Sequence, residues 1–265
     1  MMEQTTTDFA AVVTDIATWL EQHRAAAAAD RFIVGLSGGI DSAVVCGLCS
    51  RAAGAGRVTG VIMPSDSNAD DARDAAAVAE TFQVETITVD LTAVTGGLLT
   101  AIRTGINTAA VSDGNGPRAQ LAEANVRPRL RMTTLYYLAN LMNGIVVGTG
   151  NKSEAMIGYF TKYGDGGVDL LPIVDLYKHE VRALARALGA PEGIITKPPS
   201  AGLWPGQTDE AEIGLQYDQL DAALMAIASG ETGNLSPAVH DRVRGLIDGS
   251  DHKRQPIPAY RRDER

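Results

Sequence analysis

The sequence predicts an α/β fold: a doubly wound parallel sheet flanked by helices and formed as a single domain. Three observations lead there. Four short β-branched apolar runs, RFIVGL (31–36), RVTGVIMP (57–64), ETITVD (85–90) and NGIVVGTG (143–150), alternate with stretches of helical periodicity. That alternation yields parallel strands covered on both faces. A chain of 265 residues with 45% hydrophobic content can bury one such core. Finally, no internal repeat or break in composition argues for a second domain.

The elements follow in order. Phe9, Val12, Val13, Ile16, Trp19 and Leu20 recur at helical spacing, which predicts an opening packing helix over 8–29 that runs into the alanine tract at 25–29. The first strand, 31–36, enters a glycine-rich loop and then an apolar helix that carries Cys46 and Cys49. With no second cysteine pair, this C-x-x-C has too few ligands for zinc and reads as two small buried residues. Two stretches, 111–128 and 196–210, are rich in Gly, Pro and polar residues and read as loops. The second is long enough to suggest a functional cover. The closing DHKRQPIPAYRRDER is basic, proline-punctuated and expected to be extended.

Charge narrows the partners. With 23 Lys and Arg against 32 Asp and Glu, the formal net charge of −9 would repel a nucleic-acid backbone over most of the surface. No apolar run approaches the roughly 20 residues that span a bilayer, and MMEQTTTDFA lacks the basic and apolar regions of a signal peptide. A cytoplasmic protein without nucleic-acid or membrane partners is expected.

In parallel sheets, ligands lie beyond the carboxyl ends of the strands, which directs attention to SGGIDS, PSDSNADD and GTGNKSE. Gly35, Gly38 and Gly39 stand between a predicted strand and a predicted helix, where the chain can turn tightly and present N–H groups to an anion. Neither G-x-x-x-x-G-K-[ST] nor G-x-G-x-x-G can be written here. By itself, Asp41 is equally a first-turn acid that complements the helix dipole.

The run Ser37-Gly38-Gly39-x-Asp41-Ser42 resembles the S-G-G-x-D-S motif of the ATP pyrophosphatases of the adenine nucleotide α-hydrolase-like group. The resemblance implies a loop that holds the pyrophosphate released when ATP is attacked at its α-phosphorus, with Gly35, Leu36, Ser37, Gly38, Gly39, Asp41 and Ser42 around the nucleotide. A carboxylate among phosphates is repulsive unless a divalent cation lies between them. Mg²⁺ commonly binds through one or two carboxylates plus phosphates, which makes Asp41 a magnesium ligand and ATP the co-substrate.

Further blocks, from about Arg31 to Arg261, resemble the ammonia-dependent NAD synthetase family: NVRPRLRM (125–132), GTGNKSE (148–154), GYFTKYGDGGVDLLPIVDLYKHEV (158–181), KPPSAGLWPGQTDE (197–210) and HKR (252–254). The resemblance implies one synthetase domain over residues 1–265 and a homodimer. The activity implied is ATP-dependent amidation of deamido-NAD by ammonia, through an acyl-adenylate, with release of AMP and pyrophosphate. Asp41 and Glu154 are expected on Mg²⁺, with Thr149 and Ser200 near ATP. Lys178 and Lys253 are expected against phosphates. Arg129, Lys162, Asp169, Trp204, His252 and Lys253 are expected at deamido-NAD, with Trp204 in a loop that excludes water. Asp165 joins Asp41 and Lys178 as a catalytic candidate; which acid takes a proton from ammonium stays open.

Several of these residues also have plainer readings. Glu154 at a helix start complements the dipole. Lys178 in YKHEVRALARALG fits the exposed face of an amphipathic helix. Arg127, Arg129 and Arg131 form a solvated basic run ahead of a helix, Asp165 and Asp169 an ordinary glycine turn, and Tyr159, Phe160 and Tyr163 core packing. The chain also departs from its relatives. Ile62 stands where some carry an arginine, and Pro128 separates two arginines. About thirty residues precede the first strand, leaving no room for a glutaminase domain, so ammonia is expected from solution or from a separate glutaminase partner. Relatives that modify tRNA or form guanylate share the loop motif, but the acidic balance of this chain disfavours an RNA substrate.

Overall fold

The computed structural model describes residues 7–66, 68–106, 116–200, 202, 207–230 and 235–262. Four parallel strands, β1 (Arg31–Gly35), β2 (Val58–Ile62), β3 (Glu85–Thr88) and β4 (Gly144–Val147), form one sheet in the order β3-β2-β1-β4. Their register runs Phe32 opposite Val58 and Ile145, and Val61 opposite Ile87. All four fall inside the expected runs but are shorter, because the last residues of each run leave the ladder to form the turns at the carboxyl edge.

Thirteen α-helices are described: α1 (Phe9–Ala26), α2 (Ile40–Ala53), α3 (Ala69–Thr81), α4 (Thr92–Gly105), α5 (Pro117–Ala124), α6 (Val126–Leu141), α7 (Lys152–Ile157), α8 (Lys178–Leu188), α9 (Glu192–Ile195), α10 (Asp209–Ile213), α11 (Tyr217–Ser229), α12 (Pro237–Gly249) and α13 (Asp251–Arg254). The opening helix starts where Asp8 accepts the N–H groups of Ala10 and Ala11, an N-cap that satisfies donors left over at a helix start.

Alternation along β1 sends its side chains to both faces. Phe32 and Val34 join α1, α2 and α8 in one core, while Ile33 packs with Val61, Val146 and Leu138 of α6 on the other face. A third apolar cluster, Ile157, Tyr177, Ile213, Tyr217, Leu220, Leu224 and Val243, holds α7, α10, α11 and α12 together.

Two expectations are corrected. Of the expected loop 111–128, residues 117–124 and 126–128 are helical, so Arg127, Arg129 and Arg131 project from α6 itself. Pro128 is tolerated because it lies in the first turn, where its missing N–H has no intrahelical partner to lose. Residues 251–254 form a helical turn before the exposed, extended chain from 255 to 262.

Strand order places the site. The chain leaves β1 for β2 and β3 on one side, then returns to pair β4 on the other side of β1. The loops after β1 and β4 therefore diverge around a crevice at the carboxyl edge, the topological switch point where ligands of such sheets bind.

Candidate active site

The loop after β1 supplies the first wall. Gly38 has φ +78°, and a Cβ there would lie 2.4 Å from the Asp71 carbonyl oxygen, so only glycine fits. Gly39 caps α2 in extended conformation without a side-chain cap bond, leaving the first N–H groups of the helix to face a ligand. Ser42 Oγ donates to Gly39 O at 2.9 Å and stands 3.1 Å from Ser37 Oγ, which accepts from Gly39 N at 3.2 Å. These bonds brace the turn. Leu36 is buried in the core and Gly35 closes β1, so both offer the site backbone alone.

The loop after β4 supplies the second wall. Asn151 caps α7 reciprocally: its side chain accepts from Glu154 N at 3.0 Å, and Glu154 Oε2 accepts from Asn151 N at 3.4 Å. The same Asn151 donates from Nδ2 to Asp41 Oδ1 at 2.8 Å, bridging the two loops. Lys178, the first residue of α8, enters from below. Its ammonium lies 2.5 Å from Asp41 Oδ2 and 3.0 Å from Glu154 Oε1, and the residue is 1% exposed. The reading of Lys178 as a lysine on an exposed helix face is thereby overturned.

A buried knot fixes Lys178. Its backbone N–H donates to Ser153 Oγ at 3.0 Å, and Ser153 Oγ in turn bonds Asp221 of α11. Asp221 also accepts His179 N at 3.0 Å and pairs with His179 Nδ1 at 2.9 Å.

Burial raises the Glu154 carboxyl from 4.5 to about 7, against the opposing pull of Lys178. Burial disfavours the Lys178 charge, but Asp41 and Glu154 outweigh it and hold the ammonium above its ordinary value. Asp209 is also pushed up by burial. Two carboxylates thus hold one ammonium while Asp209 adds its field from further away, an environment that favours additional positive charge. Among the described residues no group of three or more His, Cys, Asp or Glu side chains forms a metal cage. Asp41 and Glu154 nonetheless converge on one cationic centre, which suits a magnesium ion that takes its other oxygens from phosphates and water.

The remaining expected residues are spread over several segments. Thr149 is half-buried in the turn between β4 and Asn151, and Ser200 braces its segment by donating to Gln207 O at 2.7 Å. The others cluster along 158–165. Arg129 donates to Lys162 O at 3.2 and 3.3 Å, Lys162 Nζ to His252 O at 2.5 Å, and Lys253 Nζ to Gly158 O at 2.7 Å and Phe160 O at 2.8 Å. Asp165 accepts Thr161 N at 2.8 Å. Asp169 stands apart, its carboxylate taken up by Val146 N at 2.9 Å and Tyr136 OH at 2.8 Å. Trp204 lies outside the described residues.

Sequence reasoning did not find Asn151, Asp209, Tyr217 or Asp221. The N-x-x-E spacing of Asn151 and Glu154 is a capping signal that was available. Tyr159 does more than pack: its hydroxyl donates to Glu212 at 2.8 Å, and Tyr163 is exposed. Ile62 is buried, and the carbonyls just beyond it, Met63 O and Ser65 O, are met by Arg131 at 3.2 Å and Arg127 at 3.3 Å.

Known proteins share this architecture. The family model described as NAD synthase matches residues 12–257. The NH(3)-dependent NAD(+) synthetase of Archaeoglobus fulgidus is 47% identical over 231 residues, spanning 86% of this chain and 87% of the relative. Among solved structures, the NMN synthetase of Francisella tularensis superposes with a TM-score of 0.84 at 33% identity, covering 96% of this chain and 99% of that one. The NH3-dependent NAD synthetase of Campylobacter jejuni gives a TM-score of 0.79 at 26% identity, over 97% and 100% of the two chains.

Proposed function

The chain belongs to the NAD synthase family, and from that premise we propose that it amidates the nicotinate carboxylate of deamido-NAD with ammonia at the expense of ATP. The observation that carries the reading is the meeting of Asp41, Glu154 and Lys178 beside the open start of α2, at the strand ends where a triphosphate would lie.

A carboxylate resists amidation because ammonia would have to expel an oxide. Attack of a carboxylate oxygen on the α-phosphorus of ATP breaks the bond to the β-phosphate, releases pyrophosphate and leaves an acyl-adenylate. The nitrogen lone pair then attacks the acyl carbon, AMP departs, and the nitrogen gives up one proton. Pyrophosphate is held by the backbone of Ser37, Gly38 and Gly39, with Ser42 bracing the turn. Lys178 faces the phosphates with a compact charge, and Thr149 and Ser200 border the nucleotide. A magnesium ion, held by Asp41 and Glu154, would neutralise phosphate charge.

The dinucleotide acid falls to Arg129, Lys162, His252, Lys253, Asp169 and Trp204. Arg129, Lys162 and Lys253 spend donors on backbone carbonyls, which orders the 158–163 segment. Asp165 stays a catalytic candidate near Lys253, whose ammonium is lowered by burial and opposed by Asp165. Ammonia is taken from solution or from a separate glutaminase, in a cytoplasmic setting; among the described residues no helix is long and apolar enough to cross a membrane. Two copies pair through α4, where Val94, Leu98 and Ile102, continued by Ile106 just past its end, form an exposed apolar stripe.

A second reading keeps the chemistry and shortens the acceptor to nicotinate mononucleotide, supported by the likeness to the Francisella tularensis NMN synthetase. One experiment tests both: each acid is supplied with Mg-ATP and ammonium, and amide, AMP and pyrophosphate are followed together. Equal yields of the three with deamido-NAD uphold the first reading. A kcat/KM that favours the mononucleotide selects the second, and no amide from either acid defeats both.

A further inference from the structure

Between α9 and α10, Pro199 and Ser200 meet Gln207 and Asp209 in a narrow neck. The N–H of Asp209 donates to Pro199 O at 3.1 Å, Ser200 Oγ to Gln207 O at 2.7 Å, and Gln207 Nε2 to Glu212 Oε2 at 2.7 Å. Just before the neck, Lys197 is held by Asp71 at 2.9 Å and Asp74 at 2.5 Å. Both belong to α3, the helix whose Asp71 carbonyl confines Gly38.

The other side of the neck ends on Asp209, whose side chain turns inward and is 4% exposed as a residue. Its Oδ1 stands 3.1 Å from the Tyr159 hydroxyl, whose nearer acceptor is Glu212 at 2.8 Å, and its Oδ2 receives the Tyr217 hydroxyl at 3.1 Å. Tyr217, 1% exposed, also places that hydroxyl 3.2 Å from Glu154 Oε1, with the Lys178 ammonium 4.8 Å over its ring. A phenol has one proton to give, so the Tyr217 hydroxyl is shared between the carboxylate at the neck and the carboxylate at the site. Moving either acceptor changes what the hydroxyl offers the other. Asp209 is buried and Glu154 half-buried, where an unmet lone pair is costly.

We propose that Asp209 and Tyr217 are positioning residues: through the shared hydroxyl they tie the neck around Pro199 and Gln207 to Glu154, so that the neck and the Asp41–Lys178–Glu154 cluster hold a single geometry. This rests on the reading of Glu154 given under Proposed function. Tyr217 has no part in bond making; it acts by fixing where the Glu154 oxygens stand.

Tyr217→Phe and Asp209→Asn, separately and together in the full chain, test the coupling by amide hydrogen exchange without nucleotide and by steady-state kinetics. In Tyr217→Phe, exchange at Asp209 and around Ser200 and Gln207 should quicken about tenfold or more, while β1 and β4 amides keep their protection. kcat should fall by about ten- to a hundredfold with the KM for the acid substrate little changed, as expected for misplacement of a reacting group. The double variant should lose no more than the worse single one. Unchanged exchange at the neck overturns the proposal, as does acceleration spread evenly through the sheet, which would mark packing alone. If Tyr217→Phe fails to fold, Asp209→Asn, which keeps the shape and one acceptor, carries the same readout. A wild-type protein that forms no amide defeats the proposed function while the exchange data still decide the coupling.

Discussion

The Lys178 ammonium bridges two loops that are distant in sequence, standing 2.5 Å from Asp41 Oδ2 while Asn151 holds the other oxygen of the same carboxylate at 2.8 Å. Asp41 is thus fixed at both oxygens before any nucleotide arrives. Asp41→Asn keeps the volume and one acceptor, and Glu154 stays to pair with Lys178. We expect a melting temperature within a few degrees of wild type and a loss of AMP formation of about a hundredfold or more. Turnover retained in a folded Asp41→Asn protein would remove Asp41 from the metal and phosphate chemistry.

Lys178→Met sets the opposite imbalance. Asp41 and Glu154 would then face each other with no ammonium between them, and removing one member of a buried ion pair costs about 3 kcal/mol or more. Urea denaturation should show that loss near neutral pH. A stability equal to wild type would mean that the carboxylates find another partner, and the electrostatic account of the cluster would fail.

Stability should also depend on pH in the metal-free protein. The Glu154 carboxyl is raised from 4.5 to about 7, first by burial. An acid raised in the folded state contributes stability that is complete below its unfolded value and is lost as pH climbs through its folded value. In chelator, the unfolding free energy should therefore decline between about pH 4.5 and pH 7 and level off above. Glu154→Gln should flatten that decline, and an undiminished slope in the variant would assign it to other groups.

How much of this was legible follows from sequence distance. The four strands and the loop at Gly38 were readable because each signal lies within a few residues: β-branched runs, glycines before a helix, an acid in its first turn. Helical periodicity leaves Lys178 open to an exposed-face reading, because a residue at the very start of a helix answers to whatever the strand ends present, and Asp41 stands 137 positions away. The helical placement of Arg129 was hidden by Pro128, a residue that reads as a breaker unless the helix is known to begin two positions earlier. Asp209 and Tyr217 carried no local signal: their meeting with Glu154 is made by the packing of α7, α10 and α11.

Gly38 gives a sharper test of the phosphate loop than its neighbour. A Cβ at Gly38 meets a backbone oxygen at 2.4 Å and would have to adopt φ +78°, whereas at Gly39 it meets only Ser37 Oγ at 3.3 Å. Gly38→Ala should lower stability by about 1–2 kcal/mol from the backbone conformation alone and weaken ATP binding measured by calorimetry. Gly39→Ala should melt close to wild type. Equal behaviour of the two would show that the turn yields where the structure holds it rigid.

The apolar face of α4 gives the last prediction. Val94 and Leu98, at 53% and 39% exposure, are followed by Ile102 at 42%, four residues apart along one side of the helix, and by Ile106 at 42% just past its end. Leu121 of α5 and Tyr137 and Leu141 of α6 add exposed apolar surface on helices packed nearby. Water contact over such a stripe is unfavourable by roughly 25 cal/mol per Å², and a second copy related by a twofold axis could cover it with the same stripe. Light scattering on the eluting protein should give twice the chain mass of 27.8 kDa. Ile102→Glu, which places a charge at the centre of the stripe and touches nothing at the strand ends, should shift the mass to a single chain with the melting transition preserved. A wild-type protein that elutes as a single chain at micromolar concentration would leave the stripe without its proposed occupant, and a dimer indifferent to Ile102→Glu would place the interface on another face.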